Sequence, residues 1–321
     1  MQAIRPKQAG GPEQLAPQEF DTPIPGVSHV LVRVEAAGVN YIDVYHRTGL
    51  YPLPLPMPIG LEGAGTVEQV GDDVHELRVG DRVAWASVSG SYASHVVAPA
   101  EKLVPVPDNV TKEVAAALLL QGMTAHYLTR TIFPLRPGHV ALVHAAAGGV
   151  GLLLTQLARL AGAQVIGTIS TDAKAVLAKD AGAHHVINYT TRDFPKEVKA
   201  LTSGKGVDVA YDSVGRSTFD GSLDCLAPRG FLVLYGQSSG VVPSLDLARL
   251  AKGSFFLTRP SLGHYTATRA ELLARSRDLF DLVKAGHLNV RIGHTFPLAQ
   301  ASDAHRALTG RATTGKVLLI P

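Results

Sequence analysis

The chain has one cysteine, Cys225, among 321 residues. An intramolecular disulfide is excluded, and so is any metal site built from several thiolates. That scarcity suits a reducing cytoplasm. No stretch reaches the roughly 18 apolar residues that a membrane-spanning helix needs; the longest candidate, residues 114–120, is short and alanine-rich. Arg5 and Lys7 are followed by no apolar segment, so no signal peptide is expected. Charge of one sign is also scarce. Thirty Lys and Arg against 27 Asp and Glu leave +3, with no run of five like charges. No basic arm or acidic tail exists, so neither nucleic acid nor a membrane surface is an expected partner. Tandem repeats and low-complexity tracts are absent too.

What is present is an apolar, turn-rich chain. At 46% hydrophobic it is no disordered polymer. Its length exceeds the roughly 250–300 residues at which single cores stop growing, so two domains are expected. The first third reads as β-rich. Residues 30–36 (VLVRVEA) alternate, with Val30, Val32 and Val34 on one side, and 66–70 and 82–86 are further short strands. Residues 51–58 (YPLPLPMP) hold four prolines and are expected to be an extended loop.

From about 139 to 260 strand and helix patterns alternate. Strands are expected at 140–144, 164–169, 185–188, 207–212, 230–235 and 255–258. Helices are expected at 149–161, 173–181, 194–201 and 217–226. Repeated β-α-β units imply a parallel sheet covered by helices on both faces. The tail changes again, with a long amphipathic helix at 269–285, a strand at 294–297, a helix at 301–309 and a strand at 316–320. With no sheet position left in the middle, the tail is assigned to the first domain, which becomes discontinuous: 1–122 and 263–321 around a middle domain of 123–262.

The strongest local signal is residues 144–151, HAAAGGVG, in which Ala145, Gly148 and Gly151 keep an A-x-x-G-x-x-G spacing. A glycine spacing alone also suits a packing turn. Here it follows an apolar strand and opens a helix, which is the context that lets backbone N–H groups approach a pyrophosphate. At the end of the second strand of this unit an Asp or Glu would bind a ribose diol. Ile169 stands there instead, followed by Ser170 and Lys174, which suit a 2′-phosphate, although Asp172 adds a carboxylate nearby. The expected cofactor is NADP(H). Other chemistry is weaker: His184 and His185 are adjacent on a strand and should point apart, and Cys225 reads as core.

Eight segments, taken in order, resemble one family. They are GVNYIDVY (38–45), RTGLY (47–51), PIGLEGAG (58–65), GDRV (80–83), HAAAGGVG, AGAHHVINY (181–189), YDSVG (211–215) and RATTG (311–315). The chain resembles the zinc-independent quinone oxidoreductases, the zeta-crystallin-like branch of the medium-chain dehydrogenases and reductases. The resemblance implies an α/β protein, with a doubly wound parallel Rossmann sheet plus a discontinuous β-rich GroES-like catalytic domain. Zinc members of the superfamily place a cysteine ligand near Asn40 and a histidine where Leu61 stands, so no metal is expected.

The resemblance further implies that the pyrophosphate lies against Gly148, Gly149 and Val150. It places the 2′-phosphate near Ser170, Thr171, Lys174 and Tyr189, with Tyr189 also facing the adenine. Asn40, Tyr45, Thr124 and Tyr127 would line the nicotinamide in the interdomain cleft. Ser213, Tyr235, Gln237, Ser238 and Arg311 complete the expected cofactor contacts. A quinone needs a flat slot and donors to its oxygens, for which Tyr45 and Asn40 are the candidates. Reduction of activated alkenes such as enones would use the same fold and cofactor. A cofactor-loaded RNA-binding or structural role is the third alternative. A homodimer, formed at the sheet edge near 255–258, is expected from the family.

Overall fold

The computed structural model describes all 321 residues. The chain divides into two compact units, Met1–Met123 with Thr266–Pro321, and Thr124–Tyr265.

The first unit opens with β1 (Gln2–Ile4) paired to β2 (Pro17–Glu19), then β3 (His29–Val39), α1 (Tyr41–Arg47), β4 (Glu62–Val70), β5 (Arg82–Trp85), β6 (His95–Pro99), β7 (Val104–Pro105) and α2 (Lys112–Tyr127), whose last turn enters the second unit. β3 is the hub, hydrogen-bonded antiparallel to β4 and to β6. It also departs from the sequence pattern. Strict alternation predicts one buried face, yet Leu31 is buried with Val30 and Val32, so both faces of β3 are covered there. β4 likewise starts at Glu62, four residues before its expected start; the glycines of PIGLEGAG disguise a strand as a turn.

The second unit runs β8 (Val140–Val143), α3 (Gly149–Leu160), β9 (Gln164–Ile169), α4 (Asp172–Asp180), β10 (His185–Asn188), α5 (Phe194–Leu201), β11 (Val207–Asp212), α6 (Phe219–Asp224), β12 (Leu226–Leu234), α7 (Ala248–Ala251), β13 (Phe256–Thr258) and α8 (Leu262–Tyr265). Its six strands are all parallel and stand in the order β10-β9-β8-β11-β12-β13. The expected helix at 217–226 shrinks to α6, and β12 begins at Leu226 rather than 230. Pro228 and Gly230 resemble a break, but the strand passes through them with a register shift and Arg229 at φ 64°. Apolar residues of both layers, including Leu142, Ile166, Ala210, Phe219 and Leu232, form one core.

After the second unit come α9 (Arg269–Lys284), β14 (Ile292–Pro297), α10 (Ala301–Thr309) and β15 (Lys316–Ile320). α9 opens with a reciprocal cap between Thr268 and Glu271. β15 pairs antiparallel with β3 and parallel with β14, so the tail completes the seven-stranded sheet of the first unit. Val30, Val32, Trp85, Tyr92, Val317 and Leu319 share its core.

Candidate cofactor and substrate sites

In the second unit the chain lays down β8, β9 and β10 in one direction, then returns to the other side of β8 for β11, β12 and β13. The order reverses between β8 and β11. Ligands of doubly wound sheets bind at such a switch point, outside the carboxyl ends of the strands. The glycine turn leaves β8 there. Its conformation is demanding: Ala145 holds φ 51°, and the Gly148 N–H closes the turn on the Ala145 carbonyl at 2.9 Å. A Cβ on Gly151 would collide with that same carbonyl oxygen and would lie 2.8 Å from the Ala146 Cα, so only glycine fits where α3 packs on the turn.

α3 is twelve residues long, has no acidic residue in its first turn, and has no side chain capping its N-terminus. Its first N–H groups and its dipole therefore present positive potential with no anion of the protein's own. These residues fit a dinucleotide pyrophosphate at Gly148, Gly149 and Val150. At the end of β9, Ser170 is half-buried, Thr171 caps α4 by accepting the Lys174 N–H at 3.4 Å, and Lys174 lies in the first turn of that helix. Tyr189 lies one residue past β10 and is exposed. The structure thus gathers Ser170, Thr171 and Lys174 at one strand end.

Two further loops meet at the carboxyl ends of β11 and β12. The Asp212 carboxylate accepts the backbone N–H of Val214 at 2.8 Å and of Gly215 at 3.0 Å, and the Thr218 hydroxyl at 2.8 Å. Ser213 and Val214 carbonyls accept the N–H groups of Ser238 and Ser239 at 3.2 and 2.8 Å. Ser213, Tyr235, Gln237 and Ser238 therefore belong to one cluster of loops. Thr124 is buried, and Tyr127 stacks on Tyr265 with ring centroids 4.3 Å apart.

The first unit holds Asn40, Tyr45 and Arg311. Asn40 caps α1, where its side chain and that of Asp43 form a reciprocal capping box. Its amide is fully engaged. Nδ2 donates to Glu62 Oε2 at 2.8 Å and to the Gly38 carbonyl at 3.3 Å, while Oδ1 accepts from Lys316 Nζ at 2.8 Å and from Gln121 Nε2 at 3.1 Å. Both amide hydrogens are thus engaged within the protein. Tyr45 is 8% exposed, and its ring lies 5.6 Å from Tyr41 and 5.2 Å, edge-on, from Tyr51. Arg311 is exposed at φ 57°, a strained conformation for a side-chain-bearing residue.

Beneath Asn40 lies a buried ion pair, Lys316 with Glu62, the two side chains 1% and 0% exposed. Glu62 Oε1 also accepts the Leu120 N–H at 2.7 Å. A Cβ on Gly38 would lie 2.5 Å from Glu62 Oε2 and 2.7 Å from the Ala116 carbonyl oxygen, so the GVN segment needs its glycine to let the pair in. A second chain runs beside it. Arg47 Nη1 stands 3.2 Å from His305 Nδ1, and a guanidinium only donates. His305 therefore carries its hydrogen on Nε2, 3.0 Å from the Tyr92 hydroxyl, which donates to Asp43 Oδ2 at 2.9 Å. Burial and the Arg47 charge push His305 down to about 3, and burial pushes Asp43 up to about 7. None of Glu62, Lys316, Tyr92, His305 or Asp43 was marked by sequence patterning. They are scattered along the chain from residue 43 to residue 316, and only the fold brings them together.

No group of three or more His, Cys, Asp or Glu side chains is arranged to hold a metal ion. Cys225 is buried at the end of α6, with its thiol pushed up to about 12 by burial.

Comparison with known proteins agrees with this architecture. Residues 26–108 match the alcohol dehydrogenase GroES-like domain, and residues 149–275 match the family described as zinc-binding dehydrogenase. A quinone oxidoreductase of Pseudomonas aeruginosa is 47% identical over 315 residues, covering 97% of each chain. A 2-haloacrylate reductase of Burkholderia is 44% identical, covering 97% of this chain and 96% of its own. The crystal structure of Escherichia coli quinone oxidoreductase complexed with NADPH superposes with a TM-score of 0.97 at 44% identity, covering all of both chains. Likeness of this degree over nearly the full length settles the family: the chain belongs to the zinc-independent quinone oxidoreductases of the medium-chain dehydrogenase and reductase superfamily.

Proposed function

We propose that this protein uses NADPH to reduce a quinone to its hydroquinone. The observation that carries the reading is the acid-free, uncapped start of α3 at the β8/β11 switch point, in a chain 47% identical to a quinone oxidoreductase. NADPH, when bound, supplies two electrons and one proton as hydride, and a second proton comes from solvent.

The protein's part is to bind and orient. N–H groups at Gly149 and Val150 neutralise the pyrophosphate. The Ser170 and Thr171 hydroxyls and the Lys174 ammonium select the 2′-phosphate, and no carboxylate stands at Ile169 to favour a free ribose diol. Tyr189 faces the adenine. Thr124, Tyr127, Ser213, Tyr235, Gln237, Ser238 and Arg311 complete the cofactor contacts. The Tyr45 hydroxyl donates to a quinone oxygen as negative charge develops on it. Asn40 holds the start of α1, which carries Tyr45, in place through its capping box.

The test is NADPH oxidation across a panel of quinones, enones and 2-haloacrylates. Rapid turnover of quinones is expected. Rapid turnover of the alkenes with negligible quinone turnover would reverse the assignment in favour of an activated-alkene reductase, the reading that the Burkholderia relative favours.

The exposed edge of β13, with Phe256 52% and Leu257 37% exposed, supports a homodimer formed through that edge. A monomeric mass by light scattering at micromolar concentration would refute it. No helix is long and apolar enough to cross a membrane, and the lone cysteine is buried; both accord with a cytoplasmic protein.

A further inference from the structure

A line of polar side chains crosses the floor of the switch point. His144 directly follows β8 and Asp212 ends β11, the two strands between which the sheet order reverses. Both are buried, and Ser222, reaching in from α6, joins them. His144 Nε2 lies 2.9 Å from Ser222 Oγ, and Ser222 Oγ lies 3.1 Å from Asp212 Oδ2 and 2.8 Å from the Thr218 carbonyl oxygen. On its other side His144 Nδ1 lies 2.9 Å from the Thr168 hydroxyl of β9.

The hydrogens in this line have a definite direction. A serine hydroxyl has one, and Ser222 faces two oxygens that only accept, the Asp212 carboxylate and the Thr218 carbonyl. Its hydrogen goes to one of these, so its lone pair receives the hydrogen on His144 Nε2. Nδ1 is then the acceptor, and the Thr168 hydroxyl donates to it. Burial keeps the His144 imidazole neutral, its affinity for a second proton lowered. The order is Thr168 to His144 to Ser222, whose hydrogen is shared between the Asp212 carboxylate and the Thr218 carbonyl, and every polar atom in the line has a partner.

A fold that needed only stability would fill this place with apolar side chains, as the surrounding core does. The ends of the line show what it does instead. Thr168 lies two residues before Ser170. His144 immediately precedes the glycine turn. Asp212 grips the N–H groups of Val214 and Gly215 and so shapes the loop that follows. The line therefore joins, from below, three loops at the carboxyl ends of β9, β8 and β11.

We infer that Thr168, His144, Ser222 and Asp212 are positioning residues that fix the spacing of the glycine turn against the 213–218 loop, and thereby hold an extended dinucleotide across the switch point. The inference rests on the NADPH reading above. It assigns no contact between these four side chains and the cofactor.

The test is direct titration of the full-length protein with NADPH, by calorimetry or by nicotinamide fluorescence, with a thermal melt of each variant. Ser222→Ala cuts the line at its centre and is expected to weaken NADPH binding about tenfold, or 1.4 kcal/mol. The KM for NADPH should rise by a similar factor, while kcat falls by less. Thr168→Val, which keeps shape but removes the hydroxyl, should weaken binding in the same direction, and Thr168→Ser, which restores the donor, should recover it. The Thr168 pair carries the test if Ser222→Ala does not fold. A melting temperature lowered with the NADPH dissociation constant unchanged within twofold would overturn the inference, because that is the signature of a purely structural network. So would Thr168→Ser binding no better than Thr168→Val. Failure of the unsubstituted protein to bind NADPH would be a different result, striking the cofactor reading on which the inference stands.

Discussion

Replacing Lys316 by methionine tests the buried ion pair most sharply. Methionine keeps most of the length of the side chain and removes its charge. The Glu62 carboxylate would then stay 0% exposed with only the Asn40 amide and the Leu120 N–H left to satisfy it. Removing one partner of such a pair costs about 3–5 kcal/mol, because the remaining charge is stranded in a medium that solvates it poorly. At about 2–4 °C per kcal/mol for a unit of this size, the melting temperature should drop by roughly 6–20 °C. Lys316→Met combined with Glu62→Gln removes both charges and leaves an amide that still meets Asn40. The double variant should recover most of the loss, so the two single effects should fail to add by about 2 kcal/mol or more. Urea or thermal unfolding of the four proteins closes the cycle. A single-variant loss below about 1 kcal/mol, or additive single effects, would refute the electrostatic account of this site.

Other outcomes follow from the same geometry. Asp43 holds its proton up to about pH 7 in the folded protein, against an ordinary carboxyl value of 3.8. The folded state therefore keeps a proton that the unfolded chain releases. Its contribution is full below about pH 4 and is lost as pH rises through 7, at no more than about 1.4 kcal/mol per pH unit. Asp43→Asn, still an acceptor for Asn40 N–H and Tyr92, should flatten that slope in urea midpoints measured from pH 4 to 8; an unchanged slope would count against it. Lys174→Ala should lower kcat/KM for NADPH roughly five- to tenfold and leave NADH nearly untouched, and equal losses would show that Lys174 does not meet the 2′-phosphate. Tyr45→Phe should lower kcat/KM for quinones about tenfold or more with NADPH affinity retained. Gly151→Ala drives a Cβ into the glycine turn and should abolish NADPH binding in titrations; unimpaired binding would mean that the turn tolerates a shift of α3.

Much of the second unit is legible in the chain because its signals are local. Most strands are short apolar runs, α3, α4 and α5 begin at a glycine, threonine or aspartate, and β9, β10, α5 and β11 fall where patterning puts them. The glycine turn is legible for the same reason, since its chemistry lies in backbone and spacing. The first unit resists such reading. β4 hides in a glycine-rich segment, and α1 follows GVN with only seven residues, too short to show an amphipathic repeat. Site residues divide the same way. Ser170 and Lys174 are found by their distance from the glycine turn, whereas Glu62 meets Lys316 across 254 residues and Tyr92 meets His305 across 213. No window of sequence contains such pairs. The partners of Asn40 are hidden for the same reason, since Glu62 and Lys316 reach it only in the tertiary structure.

The seat of β15 beside β3 has a consequence for how the molecule is made. About 280 residues separate these partners, so a nascent chain leaving the ribosome carries its N-terminal strands long before the one that fills the gap between β3 and β14 exists. Closing so long a loop is slow, and pairing across it comes late. The middle unit, whose strands join neighbours close in sequence, is free to fold first while the flanking sheet waits open-edged. Assembly should therefore be two-phased during synthesis, and truncation before residue 316 should leave an independently folded dinucleotide unit attached to an incomplete, aggregation-prone sheet.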